Sequence, residues 1–129
     1  KKFKEVKDLK IVNDQFSKPT NAIDLSNFLW NNIINKKLTN INEVFHFCNE
    51  YKMLSWYEFA KLIHRIYKKE YKSFVKIIPI SSQDYYQIAK RPKYSVLNSN
   101  KIESYFNFKL PNLELSLYKT IEMIMKEGF

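Results

Sequence analysis

The chain has 129 residues, of which 45% are hydrophobic and 16% aromatic, so it can bury a core and is not a disordered protein. Its 22 basic and 13 acidic residues give a net charge of +9, an excess that favours a polyanionic partner. Only two of the basic residues are arginines, the side chains that read DNA bases best, so we interpret the charge mainly as lysine-rich composition and consider nucleic acid the weaker hypothesis.

Three further features of the sequence bear on the cellular compartment and on the extent of the chain. The single cysteine, Cys48, cannot form an internal disulfide and fits a reducing compartment. No apolar run approaches the roughly 20 residues that cross a bilayer. The sequence opens on Lys1 inside an amphipathic pattern. We therefore expect a cytoplasmic segment of a longer polypeptide, with no membrane partner.

In chain order, hydrophobic spacing first predicts the end of a surface helix over Lys2–Leu9 and then a strand at Ile11–Val12. A helix is expected next, from Ala22 to Asn35. The apolar run Val44–Cys48 is too short for a helix and predicts a buried strand. The buried face of the helix is expected to consist of Ala22, Leu25, Phe28, Leu29 and Ile33.

The clearest helix begins at Ser55, because Ser55 and Glu58 stand three residues apart and predict a capping box. Trp56 opens the apolar stripe of this helix and is expected in the core. The β-branched run Val75–Ile80 predicts a strand, and Pro79 predicts that its end lies at an edge, because proline donates no ladder hydrogen bond.

Smaller elements follow this strand. We expect a brief helix from Ser81 or Ser82 through Tyr86, an extended piece at Tyr94–Leu97, and a helix from Asn98 or Ser99 through Phe106. A last helix starts near Leu110-Pro111-Asn112, and its buried face is expected to consist of Leu113, Leu117, Ile121, Ile124 and Met125.

Strands that alternate with helices predict an α/β fold, with few short strands and packed helices. No internal repeat or flexible linker divides the sequence. We therefore expect residues 1–129 to form a single unit.

Polar residues follow the strand at Ile11–Val12. Ligands of open α/β sheets bind outside the carboxyl ends of the strands. Asp14, Gln15 and Thr20 are therefore the first candidates for contact with a bound molecule. The alternative is that these side chains only satisfy loop backbone groups, with Thr20 or Asn21 capping the next helix.

Arg91 is the strongest single candidate for a functional residue. It precedes Pro92, which fixes the local backbone, and its planar guanidinium suits a diphosphate or a carboxylate. The alternative is a structural ion pair with a nearby acid.

Other polar residues predict no site. His46, His64 and Cys48 do not have the spacing of metal ligands, so we expect structural roles for the histidines. Glu114, Glu122 and Glu127 are expected to be surface charges unless a dimer brings a cation to them.

Several short segments occur in a characteristic order and spacing over nearly the whole chain: Val12–Phe16, Pro19-Thr20, Asp24-Leu25, Phe45–Phe47, Ser55–Ala60, Ala89–Pro92, Ser95–Asn98 and Leu110-Pro111. Together they resemble the C-terminal half of the dTDP-4-dehydrorhamnose reductases, a family of extended short-chain dehydrogenases/reductases.

This resemblance implies an enzyme that uses NADPH or NADH to reduce a keto group on a nucleotide-linked deoxysugar. The chain would form the substrate-binding lobe and the last strands and helices of a Rossmann-type reductase. The ligand expected at Asp14, Gln15, Thr20 and Arg91 is then the nucleotide sugar. Some members of the family form homodimers around Mg²⁺, so both are expected as possibilities here.

The resemblance also implies what this chain lacks. The cofactor loop of the family needs several glycines, and the only glycine here is Gly128. The family's catalytic tyrosine and lysine, four residues apart, precede the matched region. Chance alone explains the same spacing at Tyr57/Lys61, Tyr86/Lys90 and Tyr105/Lys109. We therefore expect no catalytic or cofactor-binding residue in this chain.

Two alternative functions stay open at this point. The chain departs from the family pattern, for example at Ser17, where the family usually has glycine. Such departures are compatible with a non-catalytic homologue that acts as a regulatory or scaffold subunit, as the β subunit of methionine adenosyltransferase does. A basic nucleic-acid-binding module is the third possibility.

Overall fold

Two small sheets organise the strands in the computed structural model, which describes residues 6–127. In the first sheet, β1 (Asp8–Val12) pairs in parallel with β4 (Lys76–Ile80). In the second, β2 (Phe16–Ser17) lies between β3 (Leu54–Ser55), to which it is antiparallel, and β5 (Tyr94–Ser95), to which it is parallel.

Four α-helices surround these sheets within residues 6–127. Helix α1 (Ala22–Leu29) continues as a π-helical turn through Ile34, and α2 (Trp56–Glu70) is the longest. Helices α3 (Asn100–Phe106) and α4 (Leu113–Lys126) follow β5. This arrangement of short strands and packed helices confirms the predicted α/β class.

Helix α2 immediately precedes β4 along the chain and packs on both β1 and β4. Its opposite side packs on α4. The first core cluster lies there, with buried Leu54, Leu62, Ile66, Leu113 and Leu117.

A second core cluster is mainly aromatic. Phe28 of α1 lies at its centre, with ring centroids 5.6 Å from Phe47, 5.1 Å from Phe106 and 4.9 Å from Phe108. Tilted and edge-to-face rings at these distances attract one another beyond the gain from burial. This cluster packs α1 and α3 against the connecting segments.

A buried amide joins the two halves of the core. The Asn49 side chain is 1% exposed, and its Oδ1 accepts a hydrogen bond from the Asn21 backbone N–H at 2.7 Å. Its Nδ2 donates to a carboxylate oxygen of Asp24, to the Pro111 carbonyl at 3.2 Å and to Ser116 Oγ at 3.4 Å. Asn49 therefore connects the start of α1 to the start of α4.

The capping box predicted at the start of α2 is confirmed. The Glu58 N–H donates to Ser55 Oγ at 3.1 Å, and the Ser55 N–H donates to Glu58 Oε2 at 2.8 Å. These bonds satisfy donors that a helix otherwise leaves unpaired at its first turn. The backbone bond from Ser55 lowers the pKa of the Glu58 carboxyl.

Replacing Ser55 by alanine is expected to lower the free energy of unfolding by about 1 kcal/mol, the usual loss for an N-cap serine. Urea denaturation measures this change. Ser104→Ala is the control, because Ser104 is exposed and outside the cap. Equal stability of the two variants would contradict a stabilising role for the cap.

Three predicted elements differ from the structure. Asp8 and Leu9 belong to β1 rather than to a helix, because pairing with β4 overrides local helical spacing; residues 2–5 of that prediction lie outside the described range. The strand predicted over Val44–Cys48 is wrong, because this segment has no strand assignment and pairs with no other strand among the described residues. The brief helix predicted through Tyr86 is also wrong, because serine side chains hold residues 81–84 in a turn.

Several burial predictions need correction as well. On α1 only Phe28 is buried, and Leu29 is exposed, because one narrow face of α1 meets the aromatic cluster. Trp56 is 44% exposed and does not belong to the core. On α4, Leu113 and Leu117 are buried as expected, whereas Ile124 is exposed near the helix end. Pro79 lies where predicted, on a strand that pairs only with β1 in the described part of the chain.

Candidate functional site

A cavity of about 430 Å³ opens between β1, the first half of α2 and the segment 81–93. We call the segment 81–93 the cavity loop. The residues that line the cavity are Leu9, Lys10, Ile11, Val12 and Gln15 from β1 and its end, Trp56, Phe59, Ala60 and Ile63 from α2, and Tyr85, Gln87 and Arg91 from the cavity loop.

Strand direction explains why polar residues meet beside this cavity. Strands β1 and β4 are parallel, so their carboxyl ends lie at the same edge. The pairing continues one residue further, since the Asn13 N–H donates to the Ile80 carbonyl at 3.0 Å. The polar residues that follow Val12 and those that follow Ile80 are therefore neighbours, as the sequence predicts for a ligand-binding edge.

The chemistry of the cavity lining suits an anionic ligand with an apolar part. Trp56, Phe59 and Ile63 form an apolar wall on α2. Lys10 and Arg91 are the two basic residues of the lining, and no carboxylate lines the cavity in the described range. A guanidinium binds phosphate or carboxylate oxygens through two parallel hydrogen bonds. The cavity is thus suited to a charged group attached to a less polar body.

Gln15 and Arg91 are the two predicted site residues that the fold brings together in this cavity. Gln15 is 6% exposed, whereas Arg91 is exposed. The structural ion pair considered for Arg91 is absent within residues 6–127, where ion pairs join Arg65 to Glu114, Lys101 to Glu43 and Lys126 to Glu122. The guanidinium of Arg91 therefore has no carboxylate partner in the described part of the chain.

Asp14 does not line the cavity. Its Oδ1 accepts from the Ser82 N–H at 2.9 Å, and its Oδ2 accepts from Ser82 Oγ at 2.9 Å and from Ser81 Oγ at 3.5 Å. The hydrogen bond from the Ser82 side chain lowers the pKa of the Asp14 carboxyl below 3.8, with smaller help from the charge of Lys93. The charged form of Asp14 therefore holds the start of the cavity loop.

Acid is expected to remove the stability that Asp14 provides. Because the folded-state pKa is lowered, this contribution is complete above pH 3.8 and disappears as the pH falls below 3.8 through the folded-state value. Urea denaturation of wild type and Asp14→Ala across this range measures it. We expect the advantage of the wild type at neutral pH to vanish in acid; an advantage that is independent of pH would contradict the assignment.

Thr20 also lies outside the cavity. Its hydroxyl donates to the Phe47 carbonyl at 2.9 Å. The helix cap that the sequence left open between two residues belongs to Asn21, whose Oδ1 accepts from the N–H groups of Ile23 and Asp24. Asp14 and Thr20 were predicted to contact the substrate together with Arg91. Neither residue lines the cavity that Arg91 lines, because the side chain of each is hydrogen-bonded to another segment of the chain.

Lys10, Trp56, Tyr85 and Gln87 line the cavity but were not predicted from the sequence as site residues. Trp56 stands at the first position of α2, where the chain enters the helix from β3, and it is half-exposed beside the cavity instead of buried in the core. Tyr85 and Gln87 lie on the cavity loop. No local pattern indicates their position, because long-range bonds to the end of β1 place the loop.

The remaining candidates have structural or surface positions. His64 shares a hydrogen bond of 3.0 Å with Ser73 Oγ, which supports a structural role, whereas His46 is exposed, contrary to the predicted burial. Lys61 Nζ lies 5.3 Å from the ring centroid of Tyr57, and Tyr86 is 89% exposed. Within the range 6–127, no group of three histidine, cysteine or acidic residues is placed to hold a metal ion.

Whether this chain can form the phosphate-binding loop of a dinucleotide cofactor depends on its glycine residues. A pyrophosphate-binding turn needs glycines so that the backbone can approach the phosphates. The chain contains one glycine, at position 128. The residues present therefore do not form the loop that such a cofactor requires. No described helix has the length and apolar character needed to cross a membrane.

The relatives found by comparison with known proteins carry the same name. The chain is 29% identical over 124 residues to a dTDP-4-dehydrorhamnose reductase of Sinorhizobium fredii, covering 94% of this chain and 42% of that protein. The chain therefore spans less than half the length of this relative.

Solved structures of similar fold carry the same name. A dTDP-4-dehydrorhamnose reductase from Clostridium acetobutylicum matches with a TM-score of 0.79 and 30% identity over 95% of this chain and 40% of that one. The enzyme from Bacillus anthracis, in complex with NADP, matches with a TM-score of 0.70 and 27% identity over 98% of this chain and 40% of its own.

The profile of the RmlD substrate binding domain matches residues 1–125, almost the whole chain. The expected resemblance is confirmed, and the Rossmann-type reductases are its structural neighbours. The chain belongs to the RmlD substrate binding domain family.

Proposed function

We propose that this chain is the substrate-binding part of an NAD(P)H-dependent reductase that reduces the keto group of a dTDP-linked deoxysugar, in the synthesis of dTDP-rhamnose. The named relatives support the reaction, and the complex of one of them with NADP supports the cofactor. The observation that carries the proposal is the cavity that brings Gln15 and Arg91 together beside an apolar wall.

In this proposal the residues of the chain bind and orient the substrate. Arg91, helped by Lys10, binds the diphosphate, because both are cations on the lining and Arg91 has no ion pair within residues 6–127. Gln15 offers a buried amide to sugar hydroxyls. Trp56 and Tyr85 exclude water from the less polar face of the sugar ring.

The reducing chemistry belongs to groups outside this chain. The single glycine excludes a pyrophosphate loop here, and none of the three tyrosine–lysine spacings lines the cavity. We therefore propose that the proton donor and most of the cofactor site lie in the part of the reductases that this chain does not span. The homodimer and the Mg²⁺ expected from the resemblance stay predictions, as does the cytoplasmic location.

The test is substrate-dependent oxidation of NADPH or NADH by the longer reductase that carries this chain. With dTDP-4-dehydrorhamnose we expect turnover that Arg91→Ala reduces. Oxidation that does not depend on the sugar nucleotide would contradict the proposal. The scaffold-subunit and nucleic-acid alternatives find no support among the named relatives.

A further inference from the structure

The cavity loop is attached at both ends to one short segment, residues 13–16. At its start, the Asn13 N–H donates to the Ile80 carbonyl, and Asp14 accepts from Ser82. At its end, the Phe16 N–H donates to the Lys93 carbonyl at 2.8 Å, where β2 meets β5. The segment that follows β1 therefore fixes the position of one wall of the cavity.

The two attachments differ in chemistry. The end of the loop is held by backbone pairing, which a side-chain substitution does not remove. The start depends on one side chain, because Asp14 accepts three hydrogen bonds from Ser81 and Ser82. Bonds to a carboxylate are about twice as strong as neutral ones. The first half of the loop is thus the part that a single residue controls.

Between these attachments the loop has little support of its own. Two further bonds close the turn at its start: the Gln83 N–H donates to Ser81 Oγ at 3.2 Å, and the Asp84 N–H donates to the Ser81 carbonyl at 3.1 Å. Residues 85–92 make no hydrogen bond to another residue of the range 6–127. Tyr85, which lines the cavity, directly follows this turn, and Gln87, which also lines it, lies two residues further on.

We propose that Asp14 is a positioning residue, which holds Tyr85 and Gln87 against the cavity through Ser82 without touching the ligand. This inference rests on the proposed function and assigns to Asp14 a role different from the direct contact predicted from the sequence. The ligand that it serves is the nucleoside diphosphate sugar of the proposed reaction.

The first measurement follows the loop itself. Amide hydrogen exchange of this chain is compared for wild type, Asp14→Ala, Asp14→Asn and Asp84→Ala. We expect Asp14→Ala to speed exchange at residues 82–84 about tenfold, as the loss of a charge-assisted hydrogen bond predicts. Asparagine keeps an acceptor for the Ser82 N–H but loses the charge and the second acceptor oxygen, so Asp14→Asn should fall between wild type and Asp14→Ala.

The matched control is Asp84→Ala. Asp84 is an exposed carboxylate on the same loop whose side chain accepts no hydrogen bond among the described residues. Its removal changes the net charge by the same amount as Asp14→Ala. An increase in exchange that both alanine variants share would therefore come from charge alone and would overturn the proposal.

The second measurement is the affinity of the longer reductase for dTDP and for the dTDP-linked sugar, by calorimetry. Asp14→Ala is expected to weaken binding of the sugar nucleotide about tenfold, with Asp14→Asn intermediate and Asp84→Ala near wild type. A loss in Asp84→Ala as large as in Asp14→Ala would assign the effect to net charge and overturn the positioning role.

The two measurements separate the two proposals. If the wild type binds neither dTDP nor the sugar nucleotide, the proposed function fails, and the inference that rests on it is overturned with it. If the wild type binds and Asp14→Ala leaves both exchange and affinity unchanged, the proposed function stands and the positioning role is wrong.

Discussion

Arg91→Ala is expected to weaken binding of a dTDP-linked sugar by about thirtyfold, or about 2 kcal/mol, because it removes charge-assisted hydrogen bonds to the diphosphate. Arg91 lines the cavity and has no carboxylate partner within residues 6–127, so its donors are available to a ligand. Calorimetry on the longer reductase that carries this chain measures the change. The loss should be nearly as large for dTDP alone, since the lost contact is to the phosphates.

The matched control is the other arginine. Arg65 pairs with Glu114 at 2.9 Å on the surface of α2, away from the cavity. Arg65→Ala lowers the net charge as Arg91→Ala does, so it corrects for the general loss of attraction to an anion. Affinity that falls equally in both variants, or in neither, would remove Arg91 from the binding site.

Asn49→Ala is expected to lower the free energy of unfolding by roughly 4 kcal/mol, because it leaves several buried partners without hydrogen bonds. The partners are the Asn21 N–H, the Asp24 carboxylate, the Pro111 carbonyl and Ser116 Oγ. Asn49 also joins the first turns of α1 and α4, so its loss loosens both helix starts. Urea denaturation measures the change. If the slope of the unfolding free energy against urea concentration is the same as in wild type, the substitution has changed stability and not the compactness of the folded or unfolded state.

An exposed asparagine provides the comparison. Asn42 lies in the segment that connects α1 to Phe45 of the aromatic cluster. It is exposed and makes no side-chain hydrogen bond in the described range. Asn42→Ala should change the stability by less than about 0.5 kcal/mol. If Asn49→Ala also changed it by so little, the buried amide would not hold the two helices together.

The elements that could be predicted from the sequence are those with local causes. The capping box at Ser55 depends on residues three apart, and Asn112 caps α4 through N–H groups two and three residues on. The strand at Lys76–Ile80 follows from β-branched residues. In each case the signal and the structure lie within one turn or one strand, so a single sequence is enough.

The elements that failed depend on distant partners. Asp8 and Leu9 become a strand only because β4 pairs with them, and residues 45–48 stay unpaired because no strand lies beside them in the described part. Ser81 and Ser82 suit a helix cap locally, yet Asp14, almost seventy positions earlier, takes their donors. Long-range pairing of this kind is not visible in local periodicity.

Only part of the candidate site could be predicted from the sequence, because long-range contacts place the rest. Gln15 was identified by its place after a strand, and Arg91 by its residue type and the proline that follows it; the fold brings both to one cavity. Trp56 looked like a core residue because it opens an apolar stripe. Only the path of the chain from β3 into α2 shows that its ring lies at the cavity.

The central claim is that the cavity between β1, α2 and the cavity loop binds the sugar nucleotide. Amide exchange of the longer reductase, with and without the dTDP-linked sugar and its cofactor, tests it most directly. We expect the ligand to slow exchange at residues 13–16 and 82–93 and to leave residues 68–74, at the far end of α2, unchanged. Protection that avoids the first two segments while substrate is bound would contradict the assignment.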